Sequence, residues 1–403
     1  MKRLQKVFLV LLALIICSQV PFAYRRYRLG RLQAVIQQIN QQRQPTPDDK
    51  FVEYKGVVHV HSFVGGHSAG GFEEIIAGAK PNQLDFVVMT EHTSANFNTA
   101  AMTLKDVHSG VLFINGNEVS APTKERLLIL PGDETSNLSQ GSSIAELLAG
   151  SRARSALALV AYPEEFKSWN ESGYDGVEVY NVYTNALKIN PLIMFFDGMW
   201  SYRRYPDLLF ATFYARPGNS LNLWDDAIRL TGKRLVATAG NDAHANVGLS
   251  LNDASGKTLR GFKVDPYERS FRLVQMHVLI ASGEPLNSAS LLQAFGAGHC
   301  FIGFDLFGNT RGFRFEATNG SDQKIQGDEI VLGNGVTLSV QLPVSARVVL
   351  LKDGKVFRDE SGIKAKDYAT AKKGSYRVEV YLPQLPGPVS SQPWIISNPI
   401  YVR

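Results

Sequence analysis

Short apolar runs alternate with helix-like segments along most of the chain, and this pattern restricts the fold more than any other feature. Six runs between Lys55 and Glu284 read as strands, and apolar residues recur at helical spacing between several of them. The strand-like runs are KGVVHV, LDFVVMT, VLFINGNE, ALALVAYP, DGVEVYN and RLVATAGN. Apolar runs without strict alternation indicate parallel strands that are covered on both faces. The pattern therefore predicts an α/β fold with a TIM-like (β/α) barrel.

The chain changes character after about residue 300, where strand-like runs follow one another with almost no helical spacing. Between two alternating runs lies Lys-Asp-Gly-Lys at 352–355, and Asp-Gly accepts the positive φ angles of a tight hairpin turn. We expect residues 301–403 to form a small all-β sandwich. The aromatic-rich segment 182–230 is expected to be an insertion or a lid. A chain of 403 residues suits two such domains.

The N-terminus has the composition of a membrane-directed segment. A basic start, MKRLQK, precedes an apolar segment that reaches 18 residues when counted to Tyr24, which is just enough to span a bilayer. Pro21 and Phe22 make a poor cleavage site, so residues 1–28 are predicted to be an uncleaved anchor, with a cleaved signal as the alternative. We expect the body to lie in the cell envelope, facing the periplasm or the exterior, or to be secreted if the signal is cleaved.

Residues 29–54 are expected to form a stalk or a linker. Apolar residues recur at helical spacing between Leu32 and Ile39, which favours a short amphipathic helix. A solvated linker is the alternative interpretation.

The positive charge of the protein belongs to its N-terminus. The formal net charge is +5, but residues 1–50 carry nine Lys or Arg and only two Asp or Glu. The remaining 353 residues carry 33 basic and 35 acidic side chains. An enzyme that acts on nucleic acid needs a basic surface on its folded body. We therefore expect a small-molecule substrate, a membrane contact through the N-terminal segment, and no nucleic-acid partner.

Side chains that commonly bind metals cluster at the ends of the strand-like runs. His59 and His61 are two residues apart, so both point to the same face of their strand. The carboxyl ends of the strands gather on one rim of a parallel barrel, so ligands from at least four strands are expected to converge. His67 follows on a glycine-rich loop that can fold back to this rim. The predicted site residues are His59, His61, His67, Glu91, His92, Glu118, Asp242 and His244. The other three histidines, His108, His277 and His299, are expected to be structural.

These motifs, in this order, resemble those of the PHP (polymerase and histidinol phosphatase) superfamily. The matching stretches are HVHS with a following His, VVMTEHT, GNEVS, LVAYPEE, DGVEVYN and TAGNDAHA, and they cover about residues 55–285. The tail motifs PYERSFRLV, GAGHCFIGFD and WIISNPIYV are similar to those of exported, β-capped members of the carbaryl-hydrolase-like branch. The resemblance implies a distorted (β/α)7 barrel over residues 55–300 that carries up to three divalent ions.

The resemblance also implies a division of the ligands. His59, His61, Glu118 and Asp242 would hold a first ion. His67, His92 and His244 would hold another, and Glu118 would bridge the two.

Two positions depart from the family pattern. Tyr162 and Asn181 stand where the family usually supplies histidines to the middle ion, and a neutral phenol or amide is a much poorer ligand. We therefore expect one or two divalent ions, with Zn, Mn and Fe all compatible with mixed His and carboxylate ligands. Tyr162 and Asn181 are candidates for binding substrate at the vacated position.

The predicted activity is that of a metal-dependent hydrolase, most plausibly a phosphoesterase, that uses metal-bound hydroxide at the rim of the barrel. Glu91 is a candidate proton acceptor, with a structural acid beside His92 as the alternative. Hydrolysis of a carbamate, ester or amide is a second possibility. A metal-stabilised binding protein without catalytic activity is a third.

Overall fold

The computed structural model describes residues 2–45, 50–135, 141–212, 214–246, 248–252, 258–263, 265–320 and 322–403. The α-helices are α1 Lys2–Gln42, α2 Phe72–Ala79, α3 Thr99–Met102, α4 Ile144–Ala153, α5 Val182–Ala186, α6 Pro191–Ser201, α7 Gly218–Thr231, α8 Tyr267–Leu273 and α9 Ser288–Ala297. Short 3-10 helices cover Phe63–Gly65, Lys80–Asn82, Asp207–Thr212, Asp305–Phe307 and Val389–Ser391.

The strands up to residue 303 belong to the α/β part of the chain. They are β1 Phe51–Val60, β2 Phe86–Met89, β3 Glu91–His92, β4 Asp106–His108, β5 Val111–Ile114, β6 Asn117–Ser120, β7 Arg126–Leu130, β8 Leu157–Ala161, β9 Gly176–Asn181, β10 Val236–Ala243, β11 Gly248–Asn252, β12 Thr258–Lys263, β13 Gln275–Ala281 and β14 Cys300–Gly303.

The strands after residue 303 are almost unbroken by helix. They are β15 Arg314–Asn319, β16 Asp322–Ile325, β17 Glu329–Ile330, β18 Val336–Lys352, β19 Lys355–Thr370, β20 Gly374–Tyr381, β21 Pro393–Ser397 and β22 Ile400–Val402.

Parallel ladders connect most strands of the α/β part. β1 pairs with both β2 and β10, β2 continues to β5, β3 pairs with β6, and β8 leads through β9 to β10. These strands have apolar residues on both faces, as β2 and β8 illustrate, because helices and other strands cover both sides. The mixed α/β architecture agrees with the prediction. The exact TIM-like barrel is not confirmed.

The expectation of parallel strands does not hold at β7, nor at β13, which runs antiparallel to β1. β7 runs antiparallel to both β6 and β8, and the run RLLIL was not recognised as a strand in the sequence. A tight turn joins β6 to β7, with the Ala121 amide donating to the Glu125 carbonyl at 2.8 Å. A connection this short cannot carry a crossover helix, so the two strands must be antiparallel.

The C-terminal strands continue the hydrogen-bonded sheet of the α/β part. β14 pairs with β13 on one side and with β21 on the other, and β21 leads to β20. The long hairpin of β18 and β19 turns at Asp353 and Gly354, whose φ angles are 48° and 77°. The hairpin predicted from Asp-Gly is confirmed, whereas the domain boundary at residue 301 stays a prediction.

A buried network of charges lies where these two parts meet. Glu53 on β1 accepts hydrogen bonds from His277 Nδ1 at 2.8 Å and from Arg314 Nη1 at 2.5 Å. His277 Nε2 lies 3.3 Å from Asp305 Oδ1, which also accepts from Thr310 Oγ1 at 2.6 Å. Because the charges here are buried beside one another, removing any one of them would leave an uncompensated charge where the α/β part meets the C-terminal strands.

One continuous N-terminal helix covers the predicted anchor and the first part of the predicted stalk. α1 runs without interruption through Pro21 to Gln42. Its first half is exposed and apolar, and by length and composition it could cross a membrane. Its second half packs on the body, where Leu32 and Ile39 are buried in the main core. The boundaries at residues 28 and 54 stay predictions.

Candidate metal centre

Three strand-end residues of the site have left-handed backbone conformations. The φ angles are 67° at His59, 49° at Tyr162 and 46° at Asp242. At His59 and Asp242 the ladder between β1 and β10 shifts register, because Val58 pairs with Gly240 but Val60 pairs with Ala243. Such conformations cost about 1–3 kcal/mol each in non-glycine residues and concentrate at functional sites. The shift turns the side chains of His59 and Asp242 inward.

One carboxylate oxygen of Glu118 is the centre of the cluster. Glu118 Oε2 lies 3.2 Å from His59 Nε2, 3.4 Å from His61 Nε2 and 3.5 Å from His92 Nδ1. His59, His61 and Glu118 are buried, whereas the His92 side chain is 23% exposed. Ligands from three separate strands, β1, β3 and β6, therefore meet at one point.

Asp242 approaches the same point from β10. Its Oδ1 lies 3.4 Å from His61 Nε2 and 3.6 Å from His59 Nε2. His244 Nδ1 is hydrogen-bonded to the Asp242 carbonyl at 2.9 Å and its ring stacks on that of His61, with centroids 4.3 Å apart. His67 reaches the cluster from its loop, and its ring contacts that of His92 at 4.9 Å. Each of the histidines predicted to converge thus contacts at least one of the others.

Several atoms in this cluster that could bind a metal ion are buried without a hydrogen-bond partner. Among the described residues, this is true of both ring nitrogens of His61 and of Asp242 Oδ1. A buried polar atom without a partner costs about 1–3 kcal/mol, so such a concentration fits a set of side chains that bind a cation. Donor atoms within 4.8 Å of one another form two groups, His61 with His92 and His244, and His59 with His61 and Glu118. Imidazole and carboxylate ligands at these spacings fit one or two divalent cations.

Burial and mutual charge shift the pKa values within the cluster. Burial lowers the pKa of His61 to about 3 and also lowers that of His92. Burial also favours the neutral form of His59. The charges of Glu178 and Asp242 outweigh the effect of burial and raise the pKa of His59 well above its ordinary value. Burial opposes ionisation of Glu118, yet hydrogen bonding and charge from His59 bring its pKa to about 2. Unprotonated His61 and His92 beside an ionised carboxylate are in the state that a cation requires, whereas the raised pKa of His59 means that His59 would release a proton on binding one.

Tyr162 and Asn181 both donate to the other oxygen of Asp242. Tyr162 Oη lies 2.7 Å and Asn181 Nδ2 lies 3.2 Å from Asp242 Oδ2. The Asn181 side-chain oxygen also caps α5 by accepting from the Thr184 amide at 2.9 Å. These two residues therefore occupy the side of Asp242 that faces away from His61, and they leave Oδ1 available to a cation.

Glu178 is a part of the site that sequence reasoning missed. Its Oε2 lies 2.6 Å from His59 Nδ1, and its Oε1 accepts from Asn181 Nδ2 at 2.8 Å. A side chain at residue 240 would overlap this carboxylate, so Gly240 makes room for it. A carboxylate that binds the second nitrogen of a metal-ligating histidine fixes the orientation of the ring. Its position in DGVEVYN, three residues before Asn181, gave the only sequence signal.

Arg126 on β7 was missed because β7 itself was missed. Its Nη1 donates to Glu118 Oε1 at 2.9 Å, and its guanidinium lies 4.8 Å from the centre of the Tyr162 ring. The two oxygens of Glu118 thus have different roles. Oε2 faces the histidines, and Oε1 is held by Arg126.

Glu91 is oriented toward the loop that follows β1. Its carboxylate accepts from Ser62 Oγ at 2.6 Å, from the Gly65 amide at 3.1 Å and from Thr103 Oγ1 at 2.8 Å. Burial raises its pKa, and the hydrogen bonds from Ser62 oppose that rise. These contacts favour the structural alternative for Glu91, and its predicted catalytic role stays a prediction.

The remaining histidines have partners outside the cluster. His277 belongs to the buried charge network, His299 Nε2 lies 2.9 Å from Asp328 Oδ1, and His108 Nε2 lies 2.8 Å from the Lys105 carbonyl. These contacts agree with the structural role expected for all three.

A cavity of about 880 Å³ leads from the cluster toward α6. At its inner end lie His92, Glu118, Tyr162 and Asp242. Most of its remaining lining is apolar and includes Val182, Tyr183, Ala186, Met194, Phe195, Met199, Leu209 and Phe210, and polar side chains such as Asn246 and Asp265 also line it. The polar centre is therefore reached through a mainly apolar chamber.

No known protein family and no curated protein matches the sequence. Among solved structures, the chain is similar to a two-domain protein from Bacteroides vulgatus ATCC 8482 that contains a predicted PHP-like metal-dependent phosphoesterase. The identity is 14% and the TM-score 0.42, over 89% of this chain and 98% of that one.

Two further solved structures are similar to the chain. PsfC from Pseudomonas syringae PB-5123 is 12% identical with a TM-score of 0.37, over 60% of this chain and 89% of that one. Endonuclease Q, in complex with a 27-mer duplex that has an abasic lesion at the active site, is 12% identical. The TM-score is 0.35, over 62% of this chain and 58% of that one. Membership of the PHP superfamily therefore stays the prediction made from the motifs, and so does the absence of a nucleic-acid partner.

Proposed function

We propose that the protein is a metal-dependent hydrolase of the PHP type that cleaves phosphoesters at the His and carboxylate cluster. One observation carries this proposal. Nitrogen atoms of His59, His61 and His92 approach the same oxygen of Glu118 within 3.5 Å, while the neighbouring Asp242 Oδ1 has no hydrogen-bond partner among the described residues. Burying so many ligand atoms around one point costs free energy, and a bound cation would offset that cost.

The ligand sets proposed from the motifs are compatible with this geometry. His59, His61, Glu118 and Asp242 would hold one ion, and His67, His92 and His244 would hold a second. Because Tyr162 and Asn181 already donate to Asp242 Oδ2, a third ion has no suitable ligands there. Arg126 occupies Glu118 Oε1, so the proposed bridging by Glu118 would use Oε2 alone.

Divalent ions bound at such a site lower the pKa of water and polarise a phosphoryl or carbonyl oxygen. The chain contributes orientation and exclusion of water. Glu178 orients His59, Arg126 orients Glu118, and Glu91 holds the loop that carries His67. Tyr162 is the group best placed to contact a substrate, since its ring lines the cavity next to Asp242.

The proposal includes an architecture and a location. The pairing of β1 with both β2 and β10 supports a distorted (β/α)7 barrel over residues 55–300, followed by a β-sandwich over 301–403. The exposed apolar half of α1 supports a membrane anchor at residues 1–28 with the body in the cell envelope.

Purified full-length protein loaded separately with Zn²⁺, Mn²⁺ and Fe²⁺ tests the activity against phosphate mono- and diesters. His61→Ala is the loss-of-ligand variant, and His299→Ala is a matched control because the His299 side chain is bonded to Asp328, outside the cluster. We expect turnover by the wild type and by His299→Ala, and none by His61→Ala. Ions bound without turnover of any ester would reject the phosphoesterase and favour the non-catalytic binding protein.

Hydrolysis of a carbamate, ester or amide is the second candidate, and the apolar lining of the cavity favours it. An aryl or alkyl group would fit between α5 and α6, with its carbonyl at the cluster. Carbamoyl and aryl esters belong in the same assay. A higher kcat/KM for them than for every phosphoester would replace the first candidate by the second.

A further inference from the structure

The mouth of the cavity lies on an exposed apolar face of α6. Phe195 and Met199 are one turn apart on this helix, and both line the cavity while remaining 63% and 60% exposed. Leu192, on the same face, is 70% exposed, and Tyr183 on the preceding α5 lines the cavity at 51% exposure. Large apolar side chains that are exposed together mark a surface that binds another protein, a ligand or a membrane.

The same helix packs against the end of the apolar half of α1. The rings of Phe22 and Phe196 lie 5.0 Å apart, and Trp200 Nε1 donates to Gln19 Oε1 at 3.0 Å. Arg25 Nη2 forms an ion pair with the buried Asp197 at 2.6 Å. These contacts fix α6 beside residues 19–25 of α1.

Residues 19–28 of α1 have the composition of a membrane interface. The exposed apolar residues of α1 extend to Val20, and the aromatic and basic stretch Tyr24–Arg28 follows directly. Tyr, Trp and Arg concentrate at the level of lipid headgroups, where they anchor a spanning helix. Because α6 packs on this stretch, an α1 that spans a bilayer would place the exposed apolar face of α6 where acyl chains meet headgroups.

We propose that the substrate is a bilayer amphiphile with a phosphate ester in its headgroup, whose hydrocarbon chain enters the cavity between Phe195 and Met199. This inference rests on the proposed function, and it adds the substrate class and the route of access. The headgroup would reach the cluster at His92 and Asp242, while the chain would stay in the apolar outer part of the cavity. The polar cluster and the mainly apolar lining of the chamber match the two ends of such a molecule.

The first arm of the test measures whether α6 contacts lipid. Full-length protein is reconstituted in phosphatidylcholine vesicles whose acyl chains carry bromine, which quenches tryptophan on contact. Trp200 is the tryptophan of α6. Trp224 and Trp394 are buried at 0% and 1% exposure, and the half-buried Trp169 packs against Phe166 and Tyr174, away from α1 and α6. We expect quenching in the wild type that Trp200→Phe largely removes. Equal quenching in both proteins, or none, would overturn the proposal.

The second arm measures whether hydrocarbon contributes to turnover. The substrates are alkyl phosphates of increasing chain length, kept monomeric in detergent-solubilised protein. Each methylene that is buried in the cavity is expected to raise kcat/KM by up to about fourfold. The ratio of long-chain to short-chain kcat/KM should fall at least about tenfold in Phe195→Gln and in Met199→Gln. It should not change in the control Leu230→Gln, because Leu230 lies on α7 outside the cavity and is as exposed as Met199, at 60%.

The outcomes separate this inference from the proposed function. Hydrolysis with no dependence on chain length would leave the phosphoesterase intact and overturn the amphiphile. Bound ions without hydrolysis of any alkyl phosphate would reject the phosphoesterase, and the substrate class with it. Quenching of Trp200 needs no turnover, so it still decides in that case whether α6 faces the bilayer.

Discussion

Replacing Glu178 by glutamine should weaken metal binding even though Glu178 is not itself a proposed ligand. Its two carboxylate oxygens accept from His59 Nδ1 at 2.6 Å and from Asn181 Nδ2 at 2.8 Å. Glutamine offers one acceptor oxygen and one amino group. In Glu178→Gln, one of these two hydrogen bonds must therefore become a contact between two donors.

The size of the effect follows from the environment of the His59 contact. Loss of a carboxylate that orients a ligating histidine costs about 10- to 100-fold in metal affinity. The contact here is short and charge-assisted, and both partners are buried, Glu178 at 1% exposure. We therefore expect the upper part of the range, about 30- to 100-fold, which corresponds to about 2–2.7 kcal/mol.

The assay is competition for Zn²⁺ and Mn²⁺ between the protein and a chromogenic chelator. Glu53→Gln provides a matched control, because Glu53 is also a buried carboxylate that accepts from a histidine Nδ1, that of His277 at 2.8 Å. It should lower the free energy of unfolding and leave the metal affinity within about twofold of the wild type. Unchanged affinity in Glu178→Gln, or an equal loss in Glu53→Gln, would refute the orienting role of Glu178.

Two further predictions concern packing and pH. Gly240→Ala should lower metal affinity by about tenfold or more, since its Cβ would overlap the Glu178 carboxylate, and the same chelator competition measures it. Burial opposes ionisation of Asp305, but the charges of His277 and Lys55 hold its pKa well below the ordinary 3.8. The stability that Asp305 contributes is therefore present above about pH 4 and is lost as the pH falls further. Urea unfolding should show this loss in the wild type and a shallower one in Asp305→Asn, and identical pH profiles would contradict the prediction.

The sequence predicted the members of the cluster because one rule covers them. Parallel strands place their carboxyl ends on one edge, so His59, His92, Glu118 and Asp242 could be grouped without knowledge of any contact. The rule depends only on strand direction and residue type. It gives no distances, and it does not assign a role to Glu91, which has the right position but faces the loop.

The residues that sequence reasoning missed act through long-range contacts. Glu178 lies within β9, where the sequence does not distinguish a functional carboxylate from an ordinary polar residue of a strand. Its contact with His59 depends on a register shift between β1 and β10. Arg126 lies on an antiparallel strand in a region where a parallel pattern was expected. The packing of α1 on α6 joins residues more than 170 positions apart, so local spacing carries no signal of it.

Elemental analysis of the purified protein tests the central claim most directly. The protein is equilibrated with Zn²⁺, Mn²⁺ and Fe²⁺ and passed through a desalting column. His61→Ala is treated in the same way, and circular dichroism verifies that both proteins are folded. The convergence of donors on Glu118 predicts one or two divalent ions per wild-type chain and fewer in His61→Ala. A folded wild-type protein that retains no ion, or a variant that retains as many, would contradict the metal centre.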